Sequence, residues 1–213
     1  MCVCQGGNVK IKKTIAYIDG FNLYFGLKEK GWRCYYWLNL WELCRLLLKP
    51  DQKLITVKYF TSKIQNPPDK RQRQYAYLQA LSITPGIERY FGKYEMSYHT
   101  CESCGHKIEI PLEKMSDVQL ATHMISDAFK DNFDVALLVS GDKDLVPIVE
   151  RCRQEFPEKR IVAVFPPMRS CDDMRNVVNA FIHVTKKELK KSLFPITITD
   201  SLGRVIECPK EWS

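Results

Sequence analysis

The stretch DVALLVSGDKD, residues 134–144, predicts how the chain is organised. Its apolar residues, Val135 to Val139, follow one another without polar alternation, which is typical of a strand buried on both faces of a parallel sheet. Gly141 ends this strand, so Asp142 and Asp144 fall just beyond its carboxyl end. Ligands bind at that edge in open α/β sheets. Two carboxylates delivered there indicate a metal site.

Size and composition favour one α/β domain without a membrane span. A chain of 213 residues is long enough for one well-buried domain and short for two. No apolar run approaches the roughly 20 residues that cross a bilayer, and the N-terminus lacks the apolar core of a secretory signal. We therefore expect a cytoplasmic protein with reduced thiols and no membrane partner. The formal charge of +7 adds a modest preference for polyanions.

The rest of the chain alternates between strand-like and helix-like patterns, which predicts a doubly wound, mostly parallel sheet. Further strands are predicted at residues 14–18, 54–61, 87–98 and 160–165. A small hairpin insert is expected at about 99–110. Residues 186–213 are interpreted as a C-terminal extension.

Two more acids are expected at the same edge of the sheet. Asp19 follows the strand 14–18, and Asp117 begins a helix. Clustered carboxylates repel one another and stay ionised at neutral pH only with compensating cations. Oxygen ligands suit Mg²⁺ or Mn²⁺, and such a centre supports phosphodiester hydrolysis. The alternative is that each aspartate is an ordinary N-cap or turn residue, and Asp117 in particular could cap its own helix.

Two neutral side chains are candidates for supporting roles. Asn22 could position a phosphate or a water molecule, and the Ser140 hydroxyl could orient a carboxylate.

The segments AYIDGFNLYFGL (16–27), EKMSDVQLATHMI (113–125) and LLVSGDKDLVPIV (137–149), in that order, resemble the NYN (LabA-like) branch of the PIN-like nuclease superfamily. The resemblance covers about residues 14–185. It implies a PIN-like three-layer α/β/α domain with a mostly parallel central sheet, here with a small CxxC hairpin insert. It also implies RNA cleavage with a divalent metal.

The family's motifs are carried over residue by residue. Its first-strand aspartate and asparagine match Asp19 and Asn22, its EK-x-x-D motif matches residues 113–117, and its S-G-D-x-D motif matches residues 140–144. The acid set is complete, so an inactivated copy is not indicated. Glu113 is expected to support the site from outside it. The residues assigned to catalysis are Asp19, Asn22, Lys114, Asp117, Ser140, Asp142 and Asp144, and the four aspartates among them are the expected Mg²⁺ or Mn²⁺ ligands, directly or through water.

The insert carries Cys101-x-x-Cys104-Gly, which resembles half of a zinc knuckle. A structural zinc ion needs two more ligands. His99 and His106 flank the pair, and the N-terminal Cys2 and Cys4 are alternatives. Otherwise the segment is a reduced hairpin with two ordinary cysteines.

A basic helix with interleaved tyrosines is the candidate RNA-binding element. Lys70, Arg71 and Arg73 could hold phosphates, while Tyr75 and Tyr77 stack unpaired bases. The alternative is a solvated helix whose tyrosines face the core.

The sequence therefore predicts a metal-dependent endoribonuclease acting on single-stranded RNA. The main alternative is a non-catalytic RNA- or protein-binding regulatory module on the same fold, for example a homodimer. A third hypothesis is a phosphatase or DNA nuclease that uses the same acids. No GxxxxGK[ST] phosphate loop and no GxSxG elbow is present.

Overall fold

The computed structural model describes residues 10–101 and 103–212. Its strands are β1 (Lys12–Asp19), β2 (Gln52–Thr61), β3 (Ile87–Phe91), β4 (Lys93–Thr100), β5 (Lys107–Lys114), β6 (Val135–Val139), β7 (Arg160–Phe165), β8 (Ala180–His183), β9 (Thr197–Thr199) and β10 (Val205–Glu207). Its helices are α1 (Gly20–Glu29), α2 (Leu40–Leu46), α3 (Pro68–Ser82), α4 (Ser116–Phe129), α5 (Val146–Glu155), α6 (Asp172–Val177) and α7 (Lys186–Lys191). None of these helices is long and apolar enough to cross a membrane.

The central sheet has six parallel strands in the order β3-β2-β1-β6-β7-β8. Strand order runs outward in one direction from β1 and in the other from β6, so the topological switch point lies between these two strands. In open α/β sheets the crevice at the switch point is the usual ligand site. The register places Ile18 beside Val139, which brings the residues after both strands to this crevice.

Hydrophobic cores on both faces of the sheet make the domain a three-layer α/β/α structure. From β1, Ala16 and Ile18 join the core beneath α1, α2 and α3. Ile15 and Tyr17 enter the opposite core, beneath α4 and α5. Every residue of β6 is buried, as its unbroken apolar run predicts. The predicted fold class is confirmed.

The hairpin differs from the prediction in where it begins. A single strand was expected at 87–98, but β3 ends at Phe91, and β4 and β5 form a longer antiparallel pair around the expected insert. The break falls at Gly92, whose N–H donates to the Thr61 carbonyl oxygen at 2.8 Å. A Cβ at position 92 would lie 2.5 Å from the backbone carbonyl oxygen of Lys114, which cannot move aside as a side chain can, so the chain needs glycine where it leaves the sheet.

The C-terminal segment packs onto the domain. Thr185 and Glu188 form a capping box that begins α7, and β9 pairs with β10 around Gly203, whose φ is 77°. Ile206 is buried in the core beneath α2 and α3. The extension therefore shares a hydrophobic core with the sheet.

Candidate metal centre and adjacent groove

Asp19 lies at the switch point with its side chain held by two partners. Its Oδ1 accepts from the Asn22 backbone N–H at 3.0 Å, which makes Asp19 the N-cap of α1. Its Oδ2 accepts from the Ser140 hydroxyl at 3.0 Å, across the crevice between β1 and β6. Asp19 is only 6% exposed. The capping role considered as an alternative is therefore present, and it coexists with a position at the ligand-binding edge.

Hydrogen bonds from its backbone fix the loop after β6. The Gly141 N–H donates to the Asn22 Oδ1 at 2.9 Å, and the Asp142 N–H donates to the Ser140 Oγ at 3.1 Å. The Asp144 N–H donates to the Asp142 Oδ1 at 3.0 Å. The Asn22 oxygen thus holds protein backbone, so a contact from Asn22 to a phosphate would have to come from its Nδ2 amide.

Asp117 reaches the site from the first turn of α4. The N-cap position of α4 belongs to Met115, which has a φ of 81° and makes no side-chain capping hydrogen bond. The alternative in which Asp117 caps its own helix is therefore wrong. A non-glycine residue in the left-handed region costs of order 1–3 kcal/mol and persists only where the surrounding structure imposes it.

Repulsion between their charges couples the acids at this edge of the sheet. Burial raises the pKa of Asp19 to about 6; the hydrogen bonds from Asn22 and Ser140 oppose this rise, and the charges of Asp117 and Asp142 add to it. Burial also raises the pKa of Asp117, and the charges of Asp142, Glu113 and Asp144 raise it further. A cation would relieve this repulsion.

The candidate ligands are of the right chemical type for a hard divalent ion, but their side chains are not arranged around a common point. All the candidate ligands are carboxylate oxygens, which Mg²⁺ and Mn²⁺ prefer. Among the described residues, however, no three His, Cys, Asp or Glu side chains come together so that they could hold an ion. Asp144 is exposed and lines a second crevice with Glu150 and Asp173. This arrangement therefore does not supply four direct aspartate ligands, and water would have to complete the coordination.

The last two residues of β5 are Glu113 and Lys114, so both belong to the hairpin. The Glu113 Oε1 accepts from the Ser62 hydroxyl at 2.9 Å and also from the Ser116 hydroxyl. Glu113 therefore ties the hairpin to the end of β2 and to the start of α4. Lys114 is exposed, and its contact with a phosphate stays a prediction.

A groove of about 940 Å³ begins beside Asp19, at Gly20 and Phe21, and extends to α3. Lys70 and Arg73 line it, whereas Arg71 does not. Tyr77 packs against the core and donates to the Leu38 carbonyl oxygen at 2.9 Å, and it also lines the groove. Tyr75 is 62% exposed and lies outside the groove.

Aromatic residues of α1, which were not among the predicted site residues, also line this groove. The sequence FNLYF, which begins two residues after Asp19, contains three of them close together: Phe21, Tyr24 and Phe25.

The CxxC pair lies at the tip of the hairpin. The Cys101 N–H donates to the His106 carbonyl oxygen at 2.9 Å, and backbone N–H groups of Ser103 and Cys104 lower the pKa of the Cys101 thiol. Cys104 and His106 are exposed. The side chain of His99, as well as Cys2 and Cys4, lies outside the described part of the structure. The zinc site therefore stays a prediction.

A three-layer α/β/α domain with a parallel sheet and carboxylates at its switch point is the architecture of the PIN-like class. The NYN domain family model matches residues 13–186. The chain therefore belongs to the NYN family, within the PIN-like nuclease superfamily, and the predicted family is confirmed.

Among solved structures, a protein of unknown function from Vibrio parahaemolyticus has a similar fold. The TM-score is 0.56 at 19% sequence identity, and the match covers 87% of this chain and 98% of that chain. The similarity shows the fold alone. No curated protein matches the chain.

Proposed function

We propose that the protein is a metal-dependent endoribonuclease that hydrolyses phosphodiester bonds of single-stranded RNA at the switch point of the sheet. The observation that carries the proposal is the placement of Asp19. It is buried between β1 and β6, held by Ser140, and under the repulsion of Asp117 and Asp142. Buried carboxylates that raise one another's pKa cluster at functional sites.

Each side chain of the site has a role that follows from its contacts. Asp19, Asp117 and Asp142 would hold Mg²⁺ or Mn²⁺ partly through coordinated water, because no three acids of the described residues meet closely enough to bind an ion directly. Asp144, which is exposed, would act through solvent. A divalent ion bound there would polarise the phosphoryl group and lower the pKa of a water molecule. The Ser140 hydroxyl keeps the Asp19 carboxylate oriented toward the crevice.

Two further residues would act on the substrate. The exposed ammonium of Lys114 would balance phosphate charge next to the start of α4. The Nδ2 amide of Asn22 would donate to a phosphate oxygen, since its carbonyl oxygen is already bound to Gly141.

The test is cleavage of a fluorescent single-stranded RNA in Mn²⁺, Mg²⁺ or EDTA by wild type and Asp142→Asn. The variant keeps an amide oxygen that can accept from the Asp144 N–H, so the loop should fold while its charge is lost. Cleavage should need metal and should fall at least roughly 100-fold in the variant. The matched control is Asp51→Asn, at the opposite end of the sheet, where the carboxylate pairs with Lys12. This control should cleave like wild type.

The remaining outcomes separate the alternatives. Cleavage that resists EDTA equally in both proteins would identify a contaminant. Intact RNA that nevertheless binds tightly would favour the non-catalytic module. Faster hydrolysis of DNA or of small phosphate esters in a competition experiment would assign the same acids to the third hypothesis.

A further inference from the structure

We infer that the groove beside Asp19 binds the unpaired bases of the RNA strand, in line with the phosphate that lies at the acids. The inference rests on the proposed function and adds the part of the substrate that the carboxylates do not contact. We call this surface the aromatic groove, and the rings that line it are those of Phe21, Tyr24, Phe25, Tyr36, Tyr59, Tyr77, Tyr94 and Trp212.

The rings form an uninterrupted line that starts at the candidate metal centre. Phe21 is two residues beyond Asp19, and its ring centroid lies 6.2 Å from that of Phe25 and 6.3 Å from that of Tyr94. The Phe25 and Tyr24 centroids are 5.3 Å apart. Tyr24 is 38% exposed and Phe25 40%, so both present ring surface to a ligand. Base–aromatic stacking is the main way in which proteins hold single strands without reading sequence.

The C-terminal segment closes the far end of the line. Tyr36 lies 5.0 Å from Tyr24 and 5.6 Å from Trp212, measured between ring centroids. Glu211 holds this segment in place through an ion pair with Arg73, at 3.0 Å. The chain end is therefore part of the wall of the aromatic groove.

Charge complementarity favours a polyanion as the occupant. Within the described ranges, the lining contains the cations Lys28, Arg33, Lys70 and Arg73 and a single carboxylate, that of Glu211. Lys28 places its Nζ 5.6 Å from the Phe25 ring centroid, so a cation and a stacking surface occur side by side. In a single strand each phosphate is followed by an accessible base, which matches a cation beside a stacking ring. A duplex would not fit in this way, because its base faces are already stacked on one another.

The test measures RNA binding in EDTA, where no cleavage is expected. The probe is a labelled ten-nucleotide single strand, compared with a duplex of the same length and with a strand that contains abasic riboses. Tyr24→Leu/Phe25→Leu should weaken binding of the single strand roughly tenfold or more. The matched control is Phe129→Leu/Phe181→Leu, which removes two rings that are 80% and 49% exposed and lie outside the groove. This control should bind like wild type.

Abasic substitution provides an independent arm, because it removes bases and leaves the phosphates. It should weaken binding by wild type at least as much as the Tyr24 and Phe25 changes do, and it should weaken binding by the double variant less, because two of the stacking rings are already absent there. Circular dichroism melting confirms that both double variants are folded, and Phe25→Leu alone replaces the pair if the pair is not.

Several results would overturn the inference. These are absence of single-strand binding by wild type, unchanged binding in the groove variant, or a preference for the duplex. A wild-type dimer that the groove variant loses, measured by light scattering, would assign the surface to a second copy of the chain. Binding with the expected pattern but without cleavage in metal would refute the nuclease and leave the aromatic groove intact.

Discussion

Replacing Asp127 with asparagine should destabilise the protein, because it leaves a buried ammonium group without its counter-charge. The Asp127 Oδ2 accepts from the Lys58 Nζ at 2.6 Å and from the Tyr17 hydroxyl at 2.7 Å, and its Oδ1 accepts from the Asn132 Nδ2 at 2.9 Å. Lys58 is 7% exposed and Asp127 5%. This network joins α4 to β1 and β2 in the layer opposite α1.

The magnitude follows from the burial of both partners. Removing one member of a buried ion pair costs about 3–5 kcal/mol. The lower end is expected here, because the Glu88 carboxylate remains 4.0 Å from the Lys58 Nζ. A loss of about 3 kcal/mol lowers the Tm of a domain of this size by roughly 6–12 °C. A loss of this size is a large part of the free energy of unfolding of a typical domain, which is about 5–15 kcal/mol.

The effect should depend on pH in a defined direction. Burial alone raises the pKa of Asp127, but the hydrogen bonds from Lys58, Tyr17 and Asn132 outweigh it and hold the pKa below its ordinary value. A lowered carboxyl pKa contributes stability above the unfolded-state value, about 3.9, and loses it as the pH falls through the folded-state value. The difference in the free energy of unfolding between wild type and Asp127→Asn should therefore become smaller below about pH 4.

The assay is urea unfolding followed by circular dichroism, at pH 7 and at acidic pH. Asp51→Asn, which breaks a partly exposed pair with Lys12, should cost at most about 1 kcal/mol. The double variant Lys58→Met/Asp127→Leu should recover most of the loss, since it removes both charges from the core. A cost below about 1 kcal/mol for Asp127→Asn, or a double variant no more stable than the single one, would refute the reasoning.

Two further predictions concern the candidate sites. Burial raises the pKa of Asp19 from 3.8 to about 6, so in EDTA its ionisation should cost the folded state about 3 kcal/mol. The free energy of unfolding should therefore fall between these two pH values in wild type and not in Asp19→Asn, and parallel pH profiles of the two proteins in urea unfolding would contradict this. Elemental analysis of purified wild type should find close to one zinc ion per chain, and Cys101→Ser/Cys104→Ser should contain none. The control Cys34→Ser, which removes another exposed thiol, should match wild type, and zinc-free wild type would contradict the predicted zinc site.

The sheet could be predicted from sequence because its signal is local. An unbroken apolar run such as Val135 to Val139 has few alternatives to a doubly buried strand, and the glycine and acids after it define the edge. The break at Gly92 could not be predicted in the same way. Its cause is the close approach of the Lys114 backbone in β5, and the sequence around Gly92 is equally compatible with one long strand.

The site shows the same division between local and tertiary information. Sequence motifs predict the candidate acids, because each acid follows its strand or lies in the first turn of its helix. The partners of these acids are tertiary. Asn22 turns its oxygen to Gly141, and Tyr36 meets Trp212 across most of the chain length. No spacing rule connects such pairs, so the groove becomes visible only in the folded molecule.

Two elements, β1 and α4, contribute both to the buried Asp127 network and to the candidate metal centre. β1 carries Tyr17 to the Asp127 network and Asp19, two residues later, to the switch point. α4 carries Asp127 near its end and Asp117 in its first turn, after a start that has no side-chain cap. The Ser116–Glu113 hydrogen bond holds the first turn of α4, and the hydrogen bonds to Asp127 hold its last turn. Asp117 is therefore presented to the switch point by a helix that is anchored at both ends.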